Sequence, residues 1–110
     1  FYGKVIVPEN CPKTEAHQLN QNLILSPQAQ AFTRPELDIY TDDVICSHGA
    51  TVGKLDEAAL YYLQSRGLDK ESSIGILLTG FLDEMLEKID DKYIRELFHN
   101  KIHQWTNREV

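Results

Sequence analysis

The 110-residue chain has only two cysteines, Cys11 and Cys46, and no Cys-x-x-Cys motif. That excludes the disulfide framework of a small secreted domain and the common zinc and redox motifs, and it makes a reducing compartment, the cytoplasm, the expected location. No segment approaches the roughly 20 apolar residues of a membrane span, and the opening Phe1–Val7 run lacks the long apolar stretch of a signal peptide. Positive charge is also scarce: 11 Lys and Arg stand against 17 Asp and Glu, a net charge of −6, with an acidic excess in both halves. Without a basic cluster there is no phosphate-binding footprint, so nucleic acid is not an expected partner. Glycine and proline are few, at 6 and 4, while 42% of residues are apolar, which excludes collagen-like or disordered chains and permits a packed core. The first residue is Phe rather than Met, so a piece of a longer protein is expected.

What is present falls into two parts of different period. Up to about Lys54 the apolar residues form short runs, Val5-Ile6-Val7, Leu23-Ile24-Leu25, Leu37-Asp38-Ile39-Tyr40 and Val44-Ile45-Cys46, separated by Pro and Asx turn formers. Short β-branched runs bounded in this way predict strands. Their centres, near residues 6, 23 and 38, are too far apart for tight hairpins. Leu19, Leu23 and Leu25 share one parity and Asn20 and Asn22 the other, so amides occupy one face of an extended segment. Stacked amide rows suit a β-helix and solvated ones a β-sandwich; the spacing alone leaves both open.

After Lys54 the period becomes helical. Asp56 is placed to cap a first helix from Glu57 to Arg66, with Gly67 as its stop. Asp69 is placed to cap a second, in which Ile74, Leu77, Leu78, Phe81, Leu82, Met85, Leu86 and Ile89 fall on one amphipathic stripe. Asp90 is expected to cap a third, with Ile89 and Ile94 as a hydrophobic staple and Leu97, Phe98, Ile102 and Trp105 continuing the spacing. Three short helices carry more apolar surface than they hide among themselves, so part of it is expected to meet the β part or a partner.

The chemically rich segment is Tyr40–Gly53. In an extended strand Cys46 and His48 point to one face about 7 Å apart, a thiolate and an imidazole suited to iron or zinc. Two ligands do not close a site, so others must come from elsewhere in the chain or from a partner. Asp42 and Asp43 lie nearby, although at a turn such residues usually bond their own backbone. The alternative for Cys46 is a small buried hydrophobe and for His48 a strand histidine with its hydrogen bonds met. A nucleophilic Cys–His pair fits less well, since i and i+2 on a strand are poorly spaced for a thiol–imidazole bond. His17 reads as incidental; His99 and His103, at i and i+4, have a spacing able to bind metal but usual for an exposed helix face. Gly49 and Gly53 read as bends between strand and helix, and no Walker lysine accompanies them.

The run Pro35–Gly53, followed by Leu55-Asp56-Glu57 and Leu60–Gly67 and preceded by Thr14–Ser26, resembles the C-terminal region of the SufB/SufD family, scaffold components of the SUF system for iron–sulfur cluster assembly. The resemblance covers residues 3–90 or so and ends near Lys92. It implies the last coils of a right-handed parallel β-helix over residues 1–54 and a C-terminal three-helix domain over residues 55–110. It further implies that the helices dock the SufC ATPase, while the β part meets a second scaffold subunit, SufB or another SufD, or self-associates. The family's metal-associated interface position carries over onto His48, with Cys46 beside it, so that a partner completes an iron–sulfur cluster site. Within the family the pattern is SufD-like, because SufB has carboxylates flanking the equivalent histidine where this chain has Ser47 and Gly49. The expected function is therefore a non-enzymatic scaffold. A different class, a β-helix carbohydrate-active enzyme or acyltransferase, would need a carboxylate or histidine cleft on the β part, and Glu36 and Asp38 share a face there.

Overall fold

The computed structural model describes residues 1–109, with side chains through residue 106. Four strands come first: β1 (Tyr2–Val7), β2 (Glu15–Ile24), β3 (Arg34–Ile39) and β4 (Ile45–Lys54). They pair as two parallel two-stranded sheets, β1 with β3 and β2 with β4. The registers run from Tyr2↔Arg34 to Val7↔Ile39 and from Glu15↔Ile45 to Ile24↔Lys54. Parallel pairing requires a long connection between partners, which is why the apolar runs are spaced too widely for hairpins.

The expected last coils of a right-handed parallel β-helix are not formed. Each sheet stops at two strands and neither sheet closes, so every strand has a single hydrogen-bonded neighbour. A stacked coil draws its stability from neighbouring levels, about three being the minimum, and two strands per sheet do not supply them. The strands also differ in length from the apolar runs. β2 continues through His17, Gln18, Asn20 and Asn22, and β4 through Gly49 and Gly53, which are strand residues rather than bends. Ladder hydrogen bonds extend both strands through residues whose side chains carry no strand signal.

Two aligned turns join the sheets' strands. Asn10 and Lys13 in the first and Asp43 in the second adopt left-handed backbone, with φ of 61°, 62° and 59°. The turns are tied by Lys13 N donating to Asp43 O at 2.6 Å, Cys11 N to Thr41 Oγ1 at 3.2 Å and the Thr41 hydroxyl to Pro8 O. Between the sheets, Gly3 is the close approach: a Cβ there would collide with the side chains of Gln18 and Phe1. The Asn20 and Asn22 amides of β2 are engaged rather than solvated. Asn22 Nδ2 donates to Asn20 Oδ1 at 2.7 Å and to Thr51 O at 3.0 Å, and Thr33 Oγ1 donates to Asn20 Oδ1 at 2.7 Å. Leu19, on the other parity, is exposed.

The chain divides between Lys54 and Leu55 into two compact units. The second holds α1 (Glu57–Ser65), α2 (Lys70–Leu86) and α3 (Lys92–Glu109). Asp56 accepts from Ala58 N and Ala59 N to start α1, and Gly67, at φ 96°, ends it. Asp69 accepts from Ser72 N at 2.7 Å to start α2, and those backbone donors hold its carboxyl below the usual aspartate range. The third cap is Asp91, not Asp90, accepting from Ile94 N at 3.0 Å. Arg95 accounts for the one-residue shift: its guanidinium donates to Ile89 O at 2.6 and 2.9 Å and reaches Asp90 O, holding those residues in the connector.

α2 packs against both other helices, and of its stripe Leu78 and Leu86 are buried while Met85 is exposed. Two small polar residues are also fully covered, Ser73 with its hydroxyl on Asp69 O and Thr106 with its hydroxyl on His103 O. Much apolar surface stays open, including Tyr61 (74% exposed), Tyr93 and Trp105. Replacing Leu78, which is 3% exposed, by Ala should lower stability by about 2–5 kcal/mol in urea denaturation followed by circular dichroism. Tyr61→Ala should change it by less than about 0.5 kcal/mol in the same measurement.

Candidate functional site

Cys46 and His48 lie on β4 with one residue between them and share a strand face, opposite Ala16 and Gln18 of β2 in register. Cys46 is half-buried, free of any disulfide, and His48 is exposed. The parallel ladder keeps this spacing rigid. Beside His48, the Oε1 of Gln18 is buried without a hydrogen-bond partner. Among the described residues no third His, Cys, Asp or Glu joins Cys46 and His48 in a ligand group. Asp43 is a left-handed turn residue, as its position between apolar runs suggests.

On the opposite face of the same strands, His17 is tied in rather than incidental. Its Nδ1 meets Ser47 Oγ at 2.7 Å and its Nε2 meets Glu15 Oε1 at 3.1 Å. With its proton on Nε2, the ring donates to the carboxylate and accepts from the hydroxyl. Only the cross-strand register could reveal this, since His17 and Ser47 are 30 residues apart.

The paired carboxylates of β3 have a different environment from a catalytic pair. Lys4 Nζ sits between them, 3.4 Å from Glu36 Oε2 and 3.0 Å from Asp38 Oδ2, and Arg34 Nε lies 2.7 Å from Glu36 Oε1. The Tyr2 phenol donates to Glu36 Oε2 at 2.9 Å. The phenol, followed by Arg34 and Lys4, holds the Glu36 carboxyl below its ordinary range, while Asp38 and Glu36 push the Lys4 ammonium above its own. A glycosidase general acid needs a raised pKa, so this ladder is built for cohesion between β1 and β3 and removes the support for a carboxylate-based hydrolase.

Because Glu36 has a lowered pKa when folded, its contribution to stability is full above the ordinary carboxylate value and is lost as pH falls through the lowered one. Lys4 works in the opposite sense: its contribution is full below its ordinary value of 10.5 and is lost only as pH rises through the raised one. Carboxyl-detected NMR titration should show the Glu36 midpoint moving up in Tyr2→Phe.

The SUF system FeS cluster assembly SufBD core domain matches residues 1–81, which takes in all four strands, Cys46 and His48. The chain belongs to the SufBD family. An iron–sulfur cluster assembly SufBD family protein of Synechocystis is 46% identical over 89 residues, 81% of this chain and 20% of that protein. The iron–sulfur cluster assembly protein SufD of Escherichia coli is 36% identical over 96 residues, 87% of this chain and 23% of its own length. Protein ABCI7, chloroplastic, of Arabidopsis thaliana is 39% identical over 102 residues, 93% of this chain and 22% of that protein. The chain thus spans about a fifth to a quarter of the SufBD relatives it matches. No described helix is long and apolar enough to cross a membrane.

Proposed function

We propose that this SufBD chain acts as a non-enzymatic, cytoplasmic part of a SUF scaffold, in which His48, accompanied by Cys46, contributes to an iron–sulfur cluster site completed by a SufB-like subunit. The observation that carries the reading is that the family match includes the strand on which an exposed imidazole and a half-buried free thiol share one face. A thiolate and an imidazole are suitable donors for iron, and two of them leave coordination positions for a partner. The cluster is the cargo of such a site rather than a resident group.

The helical unit is proposed to dock a SufC-like ATPase. Support comes from its exposed aromatic side chains, Tyr61 and Tyr62 on α1 and Tyr93, Phe98 and Trp105 on α3, since aromatic anchors dominate protein interfaces. Phe81 is half-buried on the α2 stripe and is assigned to packing.

In a reconstituted scaffold complex, His48→Ala should reduce cluster assembly by about tenfold or more, with Cys46→Ala showing a smaller loss. Assembly undiminished in both variants would reduce the pair to packing. Tyr61→Ala with Tyr62→Ala should weaken ATPase binding in a pull-down without lowering helical content; unchanged binding would remove α1 from the interface.

Self-association is proposed for the chain by itself, because every strand leaves one ladder edge unpaired. Size-exclusion chromatography with light scattering should give a mass that rises with concentration, and a monomer throughout would refute it.

A further inference from the structure

The helical unit contains a group of side chains with metal-ligand chemistry, unrelated to the Cys46/His48 strand. Asp83 on α2 and His99 and His103 on α3 each present a donor atom, and these atoms lie within 4.8 Å of one another. The imidazole Nε2 atoms of His99 and His103 are 3.2 Å apart, their rings one helical turn from each other and tilted by 54°. Asp83 Oδ2 is 3.8 Å from His99 Nε2, and Asp83 Oδ1 is buried with no hydrogen-bond partner.

We propose that Asp83, His99 and His103 form a divalent transition-metal site that joins α2 to α3. Ligands at about 2.0–2.2 Å from a tetrahedral ion sit roughly 3.3–3.6 Å from one another. The His–His and Asp–His separations already bracket that value, and rotation of exposed side-chain torsions closes the remaining pair. The two imidazoles are borderline nitrogen donors, and with one carboxylate they favour zinc, cobalt, nickel or ferrous iron over calcium and magnesium, which prefer all-oxygen sites. The site also answers an electrostatic imbalance. Asp83 lies near the C-terminus of α2, the negative end of the helix dipole, with Glu84 and Glu87 close in sequence and no basic residue in the last turn. A metal cation there, like Lys88 just beyond the helix, would offset that charge. Asp83 and His103 both line a cleft of about 620 Å³ together with Thr79 and Thr106, which leaves room for a water in the fourth position. Asp83, His99 and His103 lie beyond the SufBD core match at residues 1–81.

The simpler account of the 3.2 Å contact is a hydrogen bond between two neutral imidazoles, and calorimetric titration of the chain with Zn²⁺ separates the two. In the Cys46→Ala/His48→Ala chain, where the strand pair no longer competes for the ion, the metal site gives saturable one-to-one binding that is weakened about tenfold or more by adding His99→Ala or His103→Ala. Bound Co²⁺ gives the visible absorption of a nitrogen- and oxygen-ligated ion, without thiolate charge transfer. Should either helix variant lose helical content, imidazole NMR of the Cys46→Ala/His48→Ala chain decides: the His99 and His103 ring signals shift together at one equivalent of Zn²⁺ while that of His17 does not. Absence of Zn²⁺ binding, binding lost only in the Cys46/His48 variant, or ring signals of His99 and His103 that stay in place would each overturn the proposal.

Discussion

The parallel register of β2 with β4, from Glu15↔Ile45 to Ile24↔Lys54, is the constraint on which the β unit depends. It converts a polar stretch, Glu15 to Asn22, into a strand by giving its backbone groups partners. The same register sets Cys46 beside Ala16 and His48 beside Gln18, and brings His17 against Ser47 on the other face. Shifting the pairing by one residue would exchange the faces and separate every one of these neighbours. The aligned turns at Asn10–Lys13 and Asp43 hold that register at one end, and the hydrogen bond from Asn22 Nδ2 to Thr51 O holds it toward the other.

Charge is used differently in the two units. In the β unit the cations Lys4 and Arg34 are set against Glu36 and Asp38, so the ladder between β1 and β3 is internally neutralised. In the helical unit acidic groups gather toward the C-terminus of α2 with no base in its last turn, and two histidines of α3 approach instead. The chain's −6 charge is therefore not a uniform surface property. It is paired where strands must cohere and left open where imidazoles converge.

Both units keep large apolar side chains in water, and among the described residues few are buried: Val7, Leu78, Leu86, Ser73 and Thr106. Exposed aromatics on α1 and α3 and unpaired strand edges are features of surfaces that other proteins cover. The chain spans about a fifth to a quarter of the SufBD relatives it matches.

Local sequence alone determined the helices, because their signals are local. Asp56 and Asp69 cap, Gly67 stops, and the stripe through Leu78 and Leu86 has a period that needs no distant information. The family was likewise legible, being carried by a long run of residues rather than by geometry. Tertiary structure decided what depends on partners far away in the chain. Strand lengths followed ladder bonding, so Gly49 and Gly53 became strand residues and the β-helix gave way to two open parallel pairs. The third cap moved to Asp91 because Arg95 grips the preceding carbonyls. His99 and His103 were visible as an i, i+4 pair, but the third donor, Asp83, arrives from another helix, and no spacing within one helix encodes which side chain its neighbour will bring.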